Sequence, residues 1–238
     1  ESQIRGRENG KMNIQNGWYL YIYKKNVEKF PNPKIMTQEI SHGCNMTYDA
    51  EGKYYHPTTV YSFVRNKSFP VDDRFYLGIL NSKVLWFFMR HTGTELRGGY
   101  FRFKTNYLKP FPLPAAPADT RPMIAAVDAQ LGQRQQLQAA TGRFLRTLQR
   151  RFPALDKPGQ QLESWYSLTY SGFLKELGKK KIVLGLAEEA EWEAWYEQEA
   201  ASARALQQQI AATEREIDQL VYQLYGLTEA EIRIVEGS

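Results

Sequence analysis

The chain has 238 residues, 42% of them hydrophobic and 24% charged, the composition of an ordinary globular protein long enough for one large domain or two small ones. Its 31 lysines and arginines outnumber 26 aspartates and glutamates for a net charge of +5, an excess that attracts polyanions only where it gathers on one face. No run approaches the roughly 18 apolar residues of a membrane span, the first residues are polar and unlike a signal peptide, and the single cysteine, Cys44, excludes an internal disulfide, so a cytoplasmic setting is expected.

In chain order, the aromatic and aliphatic run Trp18 to Tyr23 reads as a strand. Pro31 and Pro33 break the chain before a second extended segment, Lys34 to Ile40. Turn residues from Asp49 to Lys53 separate Asn45 to Tyr48 from Tyr54-Tyr55, so a hairpin is expected there. Thr58 to Val64, rich in β-branched and aromatic side chains, is the strongest strand pattern. Asp72 or Asp73 can cap a helix over residues 74–89, where Phe75, Ile79, Leu80, Val84, Phe87 and Phe88 recur at helical spacing, and Thr92-Gly93 ends it. Pro110, Pro112, Pro114 and Pro117 then make an extended connector. The boundary is placed there, giving a strand-rich domain over residues 1–114 and a helical domain over 115–238, an α+β chain.

Thr120 followed by Pro122 starts a helix that continues to Phe152, and a shorter helix spans 162–177. On a last long helix, 187–225, the residues Trp192, Tyr196, Glu199, Ala203, Leu206, Ile210, Thr213, Ile217, Leu220 and Leu224 alternate spacings of four and three, the seam of a coiled coil. Such a helix is about 58 Å long and needs a packing partner. The 120–152 helix can supply one, so an antiparallel arm within a monomeric chain is expected. Gly226 closes the helix, and Thr228-Glu-Ala-Glu231 is a capping box that opens another.

The most informative stretch is Glu95-Leu-Arg-Gly-Gly-Tyr-Phe-Arg-Phe-Lys104. From its chemistry two readings stay open. It is a strand with Tyr100, Arg102 and Lys104 in solvent and Phe101 and Phe103 in a core, or it is a binding surface where glycine backbone lets a ligand approach and guanidinium groups and rings meet phosphates and bases. Cations are frequent through the first 110 residues, and acids crowd into Glu188 to Glu199, an asymmetry that points towards nucleic acid.

Together Tyr76 to Phe88, Glu95 to Lys104 and Tyr107 to Pro114 resemble the TaqI-like C-terminal specificity domain. Segments 34–41 and 48–64 resemble its strands, and Glu216 to Thr228 resembles the closing helix of the enzymes that carry it. The resemblance implies the DNA target-recognition domain of an adenine-specific methyltransferase, including those fused to endonucleases in type IIG restriction systems. It implies duplex DNA and the chain's own methyltransferase domain as partners. This chain would need no cofactor itself, while S-adenosylmethionine would serve that other domain, with Mg2+ where an endonuclease is fused. Base edges would be read by polar side chains, with Gln38, Glu39, His42, Asn45, Lys53, Tyr55, His56 and Arg65 as candidates, and the DNA backbone held by Arg97, Tyr100, Arg102 and Lys104.

Catalytic patterns are missing. Amino-methyltransferases hold the flipped adenine with an Asn/Asp-Pro-Pro-Tyr/Phe motif, and Asn32-Pro33 runs into Lys34-Ile35 instead. No glycine-rich strand-to-helix turn for S-adenosylmethionine is present, so the methyltransferase is expected outside these residues. Glu51-Gly52-Lys53 is only half of a metal-dependent nuclease pattern, and His42-Gly-Cys44 lacks a second ligand pair. Rival readings are an enzyme with an unrecognised centre, a dimerising coiled-coil scaffold, and the specificity subunit of a type I restriction system, which would ordinarily show two recognition domains in tandem.

Overall fold

A computed structural model of the chain describes residues 2–11, 13–15, 17–20, 26–66 and 68–237. The strands are β1 (Lys34–Gln38), β2 (Ile40–Ser41), β3 (Thr47–Asp49), β4 (Val60–Phe63), β5 (Glu95–Leu96) and β6 (Tyr100–Arg102). Helices of eight residues or more are α1 (Asp73–Leu80), α2 (Lys83–Thr92), α3 (Arg121–Arg151), α4 (Tyr170–Lys179), α5 (Leu186–Tyr225) and α6 (Glu229–Glu236). The fold is α+β, with every strand ahead of the long helices.

Two small antiparallel sheets, ordered β3-β1-β4 and β2-β6-β5, share one extended run of chain. Glu39 is the changeover: its amide donates to Thr59 O at 2.8 Å beside β4, and its carbonyl accepts from Phe103 N at 2.7 Å beside β6. Of the strand expected over residues 18–23, residues 18–20 form a turn and bend, and 21–23 lie outside the described residues. The expected hairpin through 49–53 does not form. The Asp49 carboxylate accepts the amides of Lys53 and Tyr54 at 3.0 and 2.9 Å, which closes a side-chain-capped turn, and β3 pairs with β1 instead. Gly52, at φ 65°, is pressed so close to Pro31 that a Cβ would stand 2.1 Å from its carbonyl oxygen.

The helix expected over 74–89 is two helices. Asn81 turns its amide onto the backbone of Met46, accepting from Met46 N at 2.7 Å and donating to Met46 O at 3.0 Å, and Ser82 caps a fresh helix at Leu85 N. The shorter helix over 162–177 likewise breaks, into a turn at Gln160–Glu163, a 3-10 turn at Trp165–Ser167, and α4 capped by Thr169.

Helices α3 and α5 form the antiparallel arm. None of the ten seam positions on α5 is exposed. Of its two polar members, Glu199 and Thr213, the latter donates to Gln133 Oε1 at 3.1 Å, and Arg134 pairs with Glu214 beside it. One apolar core unites Ile35, Phe75, Leu85, Phe101 and Phe103 with Val127, Ile217 and Val221 of the arm's base, so the connector around Pro112 crosses the surface of a core that draws on both sides of it. Gly78 permits the approach of α1 to α3, since a Cβ there would lie 2.5 Å from the Met123 sulfur. A second core fills the arm's far end, where the Phe144 ring is stacked between Trp165 at 3.6 Å and Trp195 at 4.7 Å. Gly226, left-handed at φ 65°, ends α5, and the Thr228–Glu231 capping box turns the chain into α6.

Two buried carboxylates act in opposite directions on stability. Burial alone would raise Asp49, but the Lys34 ammonium and the amides of Tyr54 and Lys53 outweigh it and hold its carboxyl below the ordinary value. A depressed folded value adds stability above the unfolded carboxylate range, lost as pH falls through it. Lys34→Met leaves that carboxylate without its ammonium, and a urea melt at pH 7 should show a loss of about 3–5 kcal/mol. Asp218 is raised by burial, although its Oδ1 accepts from Lys83 N at 2.9 Å. A raised folded value takes stability away as pH climbs from the unfolded carboxylate range through the folded value. Asp218→Asn keeps the acceptor and removes the charge, so its melting temperature should exceed that of the native chain at pH 7, with the gap closing towards pH 4.

Candidate nucleic-acid interface

Alternation along β6 buries Phe101 and Phe103 and turns Tyr100 and Arg102 to the other face. Ile40 opposes Arg102 and Leu96 opposes Tyr100 in the ladder, so all four share that outer face. The loop joining β5 to β6 is Arg97-Gly98-Gly99. Both glycines are left-handed, at φ 87° and 75°, which leaves Arg97 exposed on a tight loop. A Cβ at Gly99 would touch the His42 ring at 3.4 Å. His42 stands 5.7 Å from Tyr100 and 5.9 Å from Trp86, and Trp86 meets the buried Phe101 edge-on at 5.2 Å. A chain of rings therefore fixes His42 and Tyr100 from beneath while both remain open to solvent.

Glu39 is the charged hub. Arg102 Nη1 donates to Glu39 Oε1 at 2.9 Å, and Lys104 Nζ lies 3.3 Å from the same oxygen. These two cations, expected to hold phosphates, thus share a carboxylate within the fold and leave one net positive charge between the three. Arg97 differs, with no ion-pair partner among the described residues. Gln38 is exposed at the end of β1, next to this group.

A second group occupies the loop after Asp49. Phe30 stacks on Tyr55 at 5.0 Å and stands edge-on to His56 at 4.8 Å, while Tyr54 and Tyr55 each stay 63% exposed. Lys53 pairs with Glu51 at 2.5 Å in the open. His56 Nδ1 lies 3.1 Å from Pro57 O, and its Nε2 is buried without a partner. Two candidates are absorbed by the fold. Arg65 reaches the buried Asp73 at 3.1 Å and the Phe69 carbonyl at 2.5 Å, tying the end of β4 to the start of α1. Asn45 donates its amide to Ser41 Oγ at 3.0 Å and His42 O at 3.1 Å, closing the turn that carries His42. Their polar groups are already engaged, whereas those of Gln38, His42, Arg97 and Tyr100 face outward.

Sequence reading missed Trp86, Phe30 and Tyr54. Trp86 lies in a run that looks wholly internal, and only the break at Asn81-Ser82 turns it towards β6. Tyr54 had a signal, since aromatic residues directly after a turn that never pairs into a strand have no core to enter.

Between the segment 44–50 and the arm lies a cleft of about 1270 Å³. Three of its cations are paired, Arg74 with Asp128 at 2.6 Å, Arg134 with Glu214, and Lys83 with Asp218 and Glu236, while Arg215 on the lining has no acidic partner among the described residues. Cys44 on its rim is pushed up to about 12 by burial and then by the nearby Asp218 charge, which keeps it a thiol. Among the described residues no group of three His, Cys, Asp or Glu side chains is placed to hold a metal, and no helix is long and apolar enough to cross a membrane.

Residues 5–113 match the family described as the TaqI-like C-terminal specificity domain, and residues 117–221 match a family described as a domain of unknown function (DUF8810). No curated protein matches the chain.

Because Glu39 neutralises part of the site, Glu39→Gln should free Arg102 and Lys104. Titration of labelled duplex should then show several-fold tighter non-specific binding and a steeper dependence on salt. Unchanged binding would mean that the two cations do not face DNA.

Proposed function

We propose that this chain, through the TaqI-like specificity domain carried by residues 5–113, recognises specific sequence in duplex DNA as part of a restriction-modification enzyme. The finer reading is a type IIG-like, adenine-specific enzyme whose methyltransferase domain is a separate part of the same polypeptide. The observation that carries the proposal is the outer face of β6 and its loop. An unmatched guanidinium at Arg97 stands beside two solvent-facing rings, His42 and Tyr100, held rigidly by Trp86 and Phe101. Arginine suits phosphate because its planar fork donates two parallel bonds, and a short glycine loop brings backbone close to the duplex.

In this reading Arg97 and Tyr100 set register on the DNA backbone, and Gln38, His42 and the Tyr54-Tyr55 loop approach base edges. S-adenosylmethionine does not fit these residues. The cleft has ion pairs along its lining and, among its lining residues, only the Tyr48 ring to lie against an adenine, which supports assigning methyl transfer to the other domain in this reading. A dimerising scaffold is disfavoured because the α5 seam is already covered by α3 of the same chain.

The isolated chain should bind duplex weakly at low salt, with affinity falling steeply as salt rises. Arg97→Ala should weaken binding to every sequence alike and flatten the slope of log affinity against log salt by about one unit. Absence of binding to any duplex at low salt overturns the proposal. A loss confined to one base position would instead make Arg97 a base reader.

A further inference from the structure

Helix α3 contains six arginines and a single acid, Asp128. Three of the arginines are matched: Arg121 with Asp119 at 2.8 Å, Arg134 with Glu214, and Arg151 with Glu188. Arg143, Arg146 and Arg150 are exposed and have no acidic partner among the described residues. At 3.6 residues per turn they fall within about 60° of one another, on the side turned away from Phe144 and Leu148. Ala139, Gly142 and Thr147 lie among them, small and uncharged. The Arg146 guanidinium lies back over Gly142, where a Cβ would sit 3.2 Å from its Nη1.

This is not how a merely solvated helix face is usually furnished. Like charges at i,i+3 and i,i+4 repel, and acids at those positions would have relieved them. The neighbouring helix α5 carries nine acids against two bases, yet none of its carboxylates reaches these three guanidinium groups among the described residues. The only aromatic residue of α3, Phe144, is buried, so the face lacks the stacking rings that single strands use. The apolar residues beside the arginines, Leu137 and Leu145, are half-buried against Tyr166 and Ile210 and do not stand out for insertion into a lipid surface. What remains is a row of guanidinium forks with open approaches, about 10.5 Å long, or three base-pair steps of roughly 3.4 Å.

We propose that Arg143, Arg146 and Arg150 form a second contact with duplex DNA, gripping the phosphate backbone beside the recognised sequence, and that this is a role of the 117–221 region. The proposal rests on the DNA recognition proposed above. Arg143 lies sixteen residues beyond Val127, the point where α3 is buried under the recognition half. That is about 24 Å, or roughly seven base pairs of duplex. The contact therefore falls on flanking DNA and carries no sequence information.

The test uses the full chain with Arg143→Gln, Arg146→Gln and Arg150→Gln combined, titrated against random-sequence duplexes of about 12 and about 35 base pairs over a range of salt. The native chain should show a steeper salt slope on the long duplex than on the short one. The triple variant should lose about two to three units of that slope on the long duplex and keep native behaviour on the short, while the corresponding triple lysine variant restores the slope. Thermal melts of all three proteins should coincide, since the residues are exposed. Arg97→Ala should lower the slope on both lengths, which separates the two contacts. If the triple glutamine variant matches the native chain on long duplex, or loses affinity equally on both lengths, the flanking grip is wrong and the recognition reading stands. If the native chain binds neither duplex, both readings fall. If the substitutions abolish binding to phosphatidylserine vesicles and leave duplex binding intact, the stripe serves a membrane and the proposal is overturned.

Discussion

The ion pair between Lys34 and Asp49, both almost wholly removed from solvent, is the constraint on which the recognition half is arranged. It joins β1 to β3 at the point where their ladder begins, and the ammonium also bonds the Phe30 carbonyl at 2.8 Å. Phe30 is the ring against which Tyr55 and His56 rest, and the other Asp49 contacts fold the loop that presents Tyr54 and Tyr55. Two buried charges are thus satisfied by a set of groups that meet only when strand, turn and aromatic loop are all in place. A hydrophobic pair of the same volume could stabilise the strands as well, but it would not specify the turn.

The same logic, a polar side chain spent on geometry, recurs at each place where the chain changes direction. Asn81 satisfies the backbone of Met46 and so divides α1 from α2, and Asp218 supplies an acceptor to the first turn of α2 from the far side of the core. Arg65 and Asp73 do the same between β4 and α1. Because such groups are committed inside the fold, the outward set is smaller than the inventory of polar residues suggests, and it gathers around Arg97, His42 and Tyr100.

This division explains what could be read from the sequence. The arm was legible because a seam spaced four and three, a C-terminal glycine and a capping box are local signals that agree with one another. The alternation of Tyr100 and Arg102 against Phe101 and Phe103 was legible for the same reason. What escaped is non-local. The hairpin expected after Asp49 is undone by a carboxylate whose loyalties lie with Lys34 and two backbone amides, and the helix over 74–89 is interrupted by contacts 35 residues away. Arg65 and Glu39 could be named as polar residues on plausible strands, but nothing local to them reveals that Asp73 holds one and that two cations hold the other.

Helices α3 and α5 run without interruption from the core they share with the strands to the aromatic stack around Phe144. A 40-residue helix is about 60 Å long, so a tilt of one degree at its base displaces its far end by about 1 Å. The stack of Phe144 between two tryptophans keeps that end from splaying and makes the pair behave as a single beam. Small rearrangements around Val127 and Ile217, where the beam is set into the core, are therefore magnified at the tip, and force applied at the tip returns to the same few side chains with the leverage of its whole length.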